Sequence, residues 1–136
     1  MQLNALDEQM LIGRAAEARD HSYARYSDFA VGAALLCRDG RVFAGVNIEN
    51  GSYGATLCAE QSAFASAISA GEKDFVAIAV VGGKKGEPIT ALCPPCGICR
   101  QFMAEFCSPS FAVLLWDGER IERKTLGELL PEAFAL

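Results

Sequence analysis

Three cysteines and one glutamate lie in two short clusters whose spacing suits a metal centre. The first cluster is Cys58–Glu60 and the second is Pro95–Cys99, with 37 residues between Cys58 and Cys96. Each cluster comes at the predicted start of a helix, where unpaired N–H groups and the positive end of the helix dipole favour thiolate over thiol. Two such helix starts side by side would place three thiolates on one zinc ion.

The number of thiolates predicts the kind of metal site. Zinc held by three protein ligands keeps its fourth tetrahedral position for water, whereas a structural zinc is closed by four protein ligands. Bound zinc lowers the pKa of that water toward neutrality. Glu60, two residues after the first cysteine, is then placed to take a proton from the water and deliver it to a substrate. The pattern therefore predicts hydrolytic metal catalysis.

Two other interpretations of these cysteines remain open at this point. Cys93 would close the site as a fourth ligand in a purely structural zinc module. A Cys-x-x-Cys pair would also serve a dithiol oxidoreductase, although such a protein needs neither Cys58 nor Glu60. We expect Cys93, like Cys37 and Cys107, to be an ordinary buried or half-buried thiol.

Hydrophobic periodicity and turn signals predict the elements that position these residues. Helices are expected over 7–20, 57–70, 96–106 and 126–130, and strands over 30–37, 41–48, 75–81, 111–116 and 121–124. Asp39-Gly40 between two apolar runs predicts a hairpin, and the continuous apolar run at 75–81 predicts a strand covered on both faces. The order predicts an α/β fold, a mixed sheet with helices on both faces.

Length and charge narrow the class of protein. A chain of 136 residues has the size of one domain, so residues 1–136 are expected to form a single domain. The net charge of −5 argues against a nucleic-acid partner. The sequence has no signal-peptide pattern and no apolar run near the ~20 residues that cross a bilayer. We therefore expect a cytoplasmic protein without a membrane partner, whose cysteines stay reduced.

The two motifs resemble the cytidine deaminase family, specifically its small, three-cysteine, homotetrameric branch. The resemblance covers nearly the whole chain and includes Tyr26–Phe29, Val31–Ala34, Gly45–Asn50, Glu128–Pro131 and Phe134. It implies a three-layer α-β-α sandwich with a mixed five-stranded sheet. It also implies one Zn²⁺ per subunit on Cys58, Cys96 and Cys99, with Glu60 as the catalytic residue. The implied reaction is hydrolysis of cytidine and 2′-deoxycytidine to uridine and 2′-deoxyuridine, with release of ammonia, in pyrimidine salvage.

The resemblance also implies substrate contacts. Phe29 would stack on the pyrimidine, the Ala59 backbone would contact the base, and Asn47 and Glu49 would bind the ribose 3′-hydroxyl. A carboxylate and an amide suit that role because they hold a neutral hydroxyl by charge-assisted hydrogen bonds. A deaminase of another aminopyrimidine compound, such as blasticidin S, would share the zinc motifs, but this sugar-binding pair argues against it. A nucleic-acid editing deaminase is disfavoured by the acidic charge.

Tyr53 and Phe134 would reach the pocket of a neighbouring subunit in the homotetramer that the resemblance implies. One position departs from the three-cysteine pattern, which usually has arginine directly after the catalytic glutamate, where this chain has Gln61. Gln61 can donate a hydrogen bond to a thiolate but brings no charge. Three thiolates on Zn²⁺ leave a net negative charge, so we expect the two helix dipoles and Arg100 to compensate it.

Overall fold

A twisted sheet of five strands forms the centre of the computed structural model, which describes residues 2–136. The helices are α1 (Ala5–Arg19), α2 (Ala59–Ser69), α3 (Gly97–Phe106) and α4 (Leu126–Leu129); the strands are β1 (Phe29–Cys37), β2 (Val42–Val46), β3 (Phe75–Lys84), β4 (Ala112–Trp116) and β5 (Ile121–Thr125). Across residues 2–136, every helix is too short or too polar to cross a membrane.

The strand order is β2-β1-β3-β4-β5. β3 and β4 run parallel, whereas the other neighbouring pairs are antiparallel, so the predicted mixed five-stranded sheet is confirmed. β1 and β2 form the predicted hairpin, and Gly40 in its turn has a φ of 94°, which a glycine adopts without steric cost. β3 continues past its predicted end at residue 81, through Gly82 and Gly83, because both pair with the long strand β1.

Alternating side chains of the sheet face two different helical layers. On one face, Ala34 and Leu36 of β1 belong to a buried cluster with Leu11 of α1. On the other face, Ala33 and Leu35 belong to a cluster with residues of α2 and α3. Because both faces are covered, β3 is buried along most of its length, as its unbroken apolar run predicts. The three-layer α-β-α sandwich is thus confirmed.

A glycine lets α2 lie directly against the edge of the sheet. A Cβ added to Gly45 of β2 would stand 2.3 Å from the backbone nitrogen of Ala63 and 2.5 Å from the carbonyl oxygen of Ala59. Both atoms are helix backbone and cannot move without the helix. The absence of a side chain at Gly45 therefore determines how closely α2 packs on the sheet. It thereby also positions the start of that helix.

An aromatic cluster joins α2 to α3. Phe64 of α2 is fully buried, and its ring centroid lies 5.0 Å from that of Phe75 and 5.9 Å from that of Phe102 on α3, in edge-to-face arrangements. Such pairs contribute about 0.5–1.5 kcal/mol beyond their buried area. This packing holds the two helices against each other.

Candidate active site

The two cysteine clusters meet where α2 and α3 begin. Cys58 is the N-cap of α2 and Cys96 is the N-cap of α3, both with extended backbone, and Cys99 lies in the first turn of α3. The three Sγ atoms lie within 4.8 Å of one another. Zinc–sulfur bonds of about 2.3 Å in tetrahedral geometry place sulfurs about 3.8 Å apart, so this set of soft donors fits a zinc ion.

Cys93 does not belong to this close group of sulfurs, although it lines the same cavity. Its Sγ packs against β3, where a Cβ added to Gly82 would stand only 2.6 Å away. Burial raises the pKa of the Cys93 thiol to about 11. Cys37 is buried and Cys107 is half-buried, as expected for ordinary thiols. The geometry therefore favours three protein ligands over the closed, four-sulfur arrangement of a structural module.

Glu60 stands beside the sulfurs and is shielded from solvent. It lies in the first turn of α2, is only 5% exposed, and lines a cavity of about 340 Å³ together with Cys58 and Cys96. Burial raises the pKa of the Glu60 carboxyl, and contacts with its own backbone N–H and with Cys99 oppose that rise. A carboxyl with a raised pKa takes up and releases protons more readily near neutral pH than an exposed one.

Four of the six residues expected to contact substrate line this cavity: Phe29, Asn47, Glu49 and Ala59. Phe29, at the start of β1, is 43% exposed, so its ring is available to a planar ligand instead of being part of the core. Ala59 lies at the start of α2, and Asn47 and Glu49 follow β2. The structure thus brings these residues together with the cysteines, while their contacts with a substrate remain predictions.

Asn47 is held by three hydrogen bonds. Its Oδ1 accepts from the backbone N–H of Val31 at 2.9 Å and from the hydroxyl of Ser22 at 2.6 Å. Its Nδ2 donates to the carbonyl of Phe29 at 2.8 Å. Ser22 was not predicted to take part in the site, because a serine after a helix carries no signal that points to a partner 25 residues away.

The carboxylate of Glu49 is also fixed from one side. Its Oε1 accepts from the backbone N–H groups of Tyr26 at 2.8 Å and Ser27 at 3.0 Å, and the Ser27 hydroxyl donates to Oε2. The Ser27 hydroxyl is the main cause that holds the pKa of Glu49 below its ordinary value of 4.5. Glu49 is therefore ionised and oriented before any ligand binds.

Two residues were expected to act next to the metal ligands. Gln61 accepts a hydrogen bond from the backbone N–H of Cys58, with 3.3 Å between Oε1 and N. Arg100 donates from Nε to the carbonyl of Pro95 at 2.7 Å and from Nη1 to the carbonyl of Leu129 at 2.7 Å. Arg100 thus ties the segment before α3 to the end of α4, and charge compensation by this side chain stays a prediction.

Tyr53 and Phe134 do not line the cavity of their own chain. Tyr53 is 83% exposed and lines a second hollow together with Glu49. Phe134 is 69% exposed, and its carbonyl accepts a hydrogen bond from Gln101 of α3 at 2.9 Å. Their expected contacts with a neighbouring subunit stay predictions.

Known proteins are similar to this chain over nearly its whole length. Residues 6–115 match the model of the cytidine and deoxycytidylate deaminase zinc-binding region. The chain belongs to the cytidine and deoxycytidylate deaminase family. A cytidine deaminase from Halalkalibacterium halodurans is 52% identical over 130 residues, which are 95% of each chain.

Solved structures of the deaminase family share the fold. The crystal structure of a cytidine deaminase from Burkholderia pseudomallei superimposes with a TM-score of 0.84 at 45% identity, covering 93% of this chain and 98% of the other. A more distant relative, a blasticidin-S deaminase from Bacillus cereus, is 32% identical over 104 residues, which are 74% of each chain.

Proposed function

We propose that this deaminase-family chain hydrolyses cytidine and 2′-deoxycytidine to uridine and 2′-deoxyuridine with release of ammonia. The observation behind this proposal is the convergence of Cys58, Cys96 and Cys99 beside the buried carboxyl of Glu60. Two of these cysteines and Glu60 line a cavity that Asn47 also lines. The three sulfurs would hold a zinc ion, which supplies Lewis-acid activation of water.

Glu60 carries the protons in this proposal. It accepts one proton from the attacking water and donates it to ring N3, and it then carries the second proton of that water to the departing amine. The products are a C4 carbonyl, a protonated N3 and ammonia, so all four hydrogens are accounted for. The burial of Glu60 supports this role, because a carboxyl with a raised pKa is a better proton carrier than an exposed one.

The lining of the cavity supports an uncharged nucleoside as the substrate. Glu49 and Glu60 both face it, and its described lining residues include no lysine or arginine that would pair with a phosphate. Asn47 and the ionised Glu49 offer a donor and an acceptor to the ribose 3′-hydroxyl, and Phe29 offers a ring to the base. Sites built on such polar pairs reject analogues that lack the hydroxyl.

A blasticidin-S deaminase among the relatives makes that compound the second candidate substrate. The compound lacks the ribose 3′-hydroxyl that Asn47 and Glu49 would hold. We therefore expect cytidine to be turned over with the higher kcat/KM, and a preference for blasticidin S would overturn the assignment.

We also propose where this enzyme acts and how it assembles. Residues 1–136 form a single domain that acts in the cytoplasm in pyrimidine salvage, as a homotetramer. The strong exposure of Tyr53 and Phe134 supports assembly, because large aromatic side chains on a surface are typical of interfaces. Sedimentation equilibrium of the zinc-loaded protein would measure the number of subunits.

The experiment follows the loss of cytidine absorbance with zinc-loaded protein, run beside Glu60→Gln and a zinc determination. We expect the wild type to turn over cytidine and Glu60→Gln to lose about 10²–10⁴-fold in kcat while it keeps its zinc. Glu105→Gln, on the exposed face of α3, is the matched control and should retain activity. Zinc-loaded wild type without turnover of cytidine or 2′-deoxycytidine would refute the proposal.

A further inference from the structure

Ser22 is joined by a side-chain hydrogen bond to Asn47, a residue of the cavity lining. It follows α1, is 6% exposed, and is not among the residues that line the cavity. Its hydroxyl donates to Asn47 Oδ1 at 2.6 Å, and both side chains are buried. The backbone keeps the two in place, since Tyr23 N–H donates to the Asn47 carbonyl at 3.0 Å and Glu49 N–H donates to the Tyr23 carbonyl at 2.9 Å.

The hydrogen bonds of Asn47 leave one proton for a ligand. An asparagine amide has two acceptor sites on Oδ1 and two protons on Nδ2. Val31 N–H and the Ser22 hydroxyl occupy the acceptor sites, and the Phe29 carbonyl takes one Nδ2 proton. The two backbone groups also fix the orientation of the amide, because a flipped amide would oppose donor to donor and acceptor to acceptor. The second Nδ2 proton belongs to a side chain that lines the cavity.

We infer that Ser22 is a positioning residue that prepares Asn47 to donate this proton to the hydroxyl of the nucleoside sugar. The inference rests on the proposed function. Donation by Ser22 into Oδ1 limits the motion of the amide. It also polarises the amide, which strengthens its remaining N–H as a donor, since hydrogen bonds in a chain reinforce one another. Ser22 thus acts on the affinity for the sugar and not on the chemistry at C4.

The test compares cytidine with 3′-deoxycytidine, which lacks the hydroxyl in question. We expect Ser22→Ala to lower the kcat/KM for cytidine divided by that for 3′-deoxycytidine by roughly two- to tenfold, which is the contribution of one buried hydrogen bond. The change should come from the KM for cytidine, with kcat nearly constant. Ser22→Thr, which keeps the hydroxyl, should restore the wild-type ratio. If Ser22→Ala does not fold, Ser22→Cys, of similar size and a much weaker donor, should show the same fall.

A purely structural role for Ser22 gives a different result. Loss of packing would lower kcat/KM for both substrates alike, so an unchanged ratio in Ser22→Ala would overturn the inference. Failure of the proposed function is recognised separately, because the wild type would then turn over neither substrate. In that case calorimetric binding of uridine and 3′-deoxyuridine to the same variants decides the role of Ser22, since it needs no turnover. Equal loss of affinity for both ligands would again overturn the inference.

Discussion

The side chain of Gln61 is hydrogen-bonded to the backbone of Cys58 across the first turn of α2. The side-chain oxygen of Gln61 accepts the backbone N–H of Cys58 at 3.3 Å, and Cys58 is the N-cap of that helix. A glutamine at the third helical position that reaches back to the N-cap is one half of a capping box. Gln61, at the position where the resemblance implies arginine, therefore has a structural contact of its own with the backbone of a candidate ligand.

Removing this contact should weaken the start of α2. We expect Gln61→Leu to lower the free energy of unfolding of the metal-free protein by about 1 kcal/mol, and Gln61→Glu, which keeps the acceptor, to lower it less. Urea denaturation followed by circular dichroism would measure both. Coincident unfolding curves for the wild type and Gln61→Leu would show that the hydrogen bond contributes nothing.

Three of the cysteines should be necessary for zinc binding, whereas Cys93 should not be. We expect Cys58→Ser, Cys96→Ser and Cys99→Ser each to lower zinc affinity by more than about 100-fold, because even residues that only support a ligand cost 10–100-fold when they are lost. Cys93→Ser is the matched control and should retain one zinc per chain, since its sulfur packs on Gly82. Metal analysis after dialysis against a weak chelator would separate them. Loss of zinc from Cys93→Ser would contradict the three-ligand site.

Gly45 offers a test of how the sheet positions α2. A methyl group there would stand 2.3 Å from the nitrogen of Ala63, so Gly45→Ala must displace the helix. We expect a loss of about 1–3 kcal/mol in the free energy of unfolding, together with weaker zinc binding. Gly13→Ala, at an exposed position of α1 with no atom within 4 Å, should instead stabilise the protein by about 0.5–1 kcal/mol. If the two variants unfolded alike, the close contact would not control the site.

Ser27 should govern how binding depends on pH. Its hydroxyl is the main cause that keeps the pKa of Glu49 below 4.5, so the carboxylate stays charged as the pH falls toward that value. In Ser27→Ala the pKa of Glu49 rises, and the carboxylate is protonated at a higher pH. We therefore expect the KM for cytidine to increase at a higher pH in the variant than in the wild type as the solution is acidified. Superimposable profiles of KM against pH would contradict this role of Ser27.

Much of the fold follows from local patterns in the sequence. The hairpin at Asp39-Gly40 was predicted correctly, and so was the buried strand β3 as far as residue 81, since turn residues and apolar runs act over a few positions. The start of α1 was predicted two residues late, at residue 7. The helix begins at Ala5 because Asn4 and Asp7 form a capping box, a signal that the sequence does contain.

Part of the candidate site could likewise be predicted from local motifs, and part could not. The positions of Cys58, Cys96 and Glu60 at helix starts follow from motifs, and their convergence was predicted because two helix starts can share one ion. The serine hydroxyls that donate to the side chains of Asn47 and Glu49 were not predicted. Ser22 and Ser27 contact Asn47 and Glu49 because the fold brings distant segments of the chain together, and the residue type alone does not reveal those contacts.

The most direct measurement is X-ray absorption at the zinc edge of the wild-type protein, which counts the atoms bound to the metal. Cys58, Cys96 and Cys99 on one ion predict three sulfurs at about 2.3 Å and one lighter atom at about 2.0 Å. A shell of four sulfurs would mean that a further cysteine closes the site. Fewer than three sulfurs would mean that these cysteines do not share the ion. Either result would contradict a zinc site built from these three cysteines.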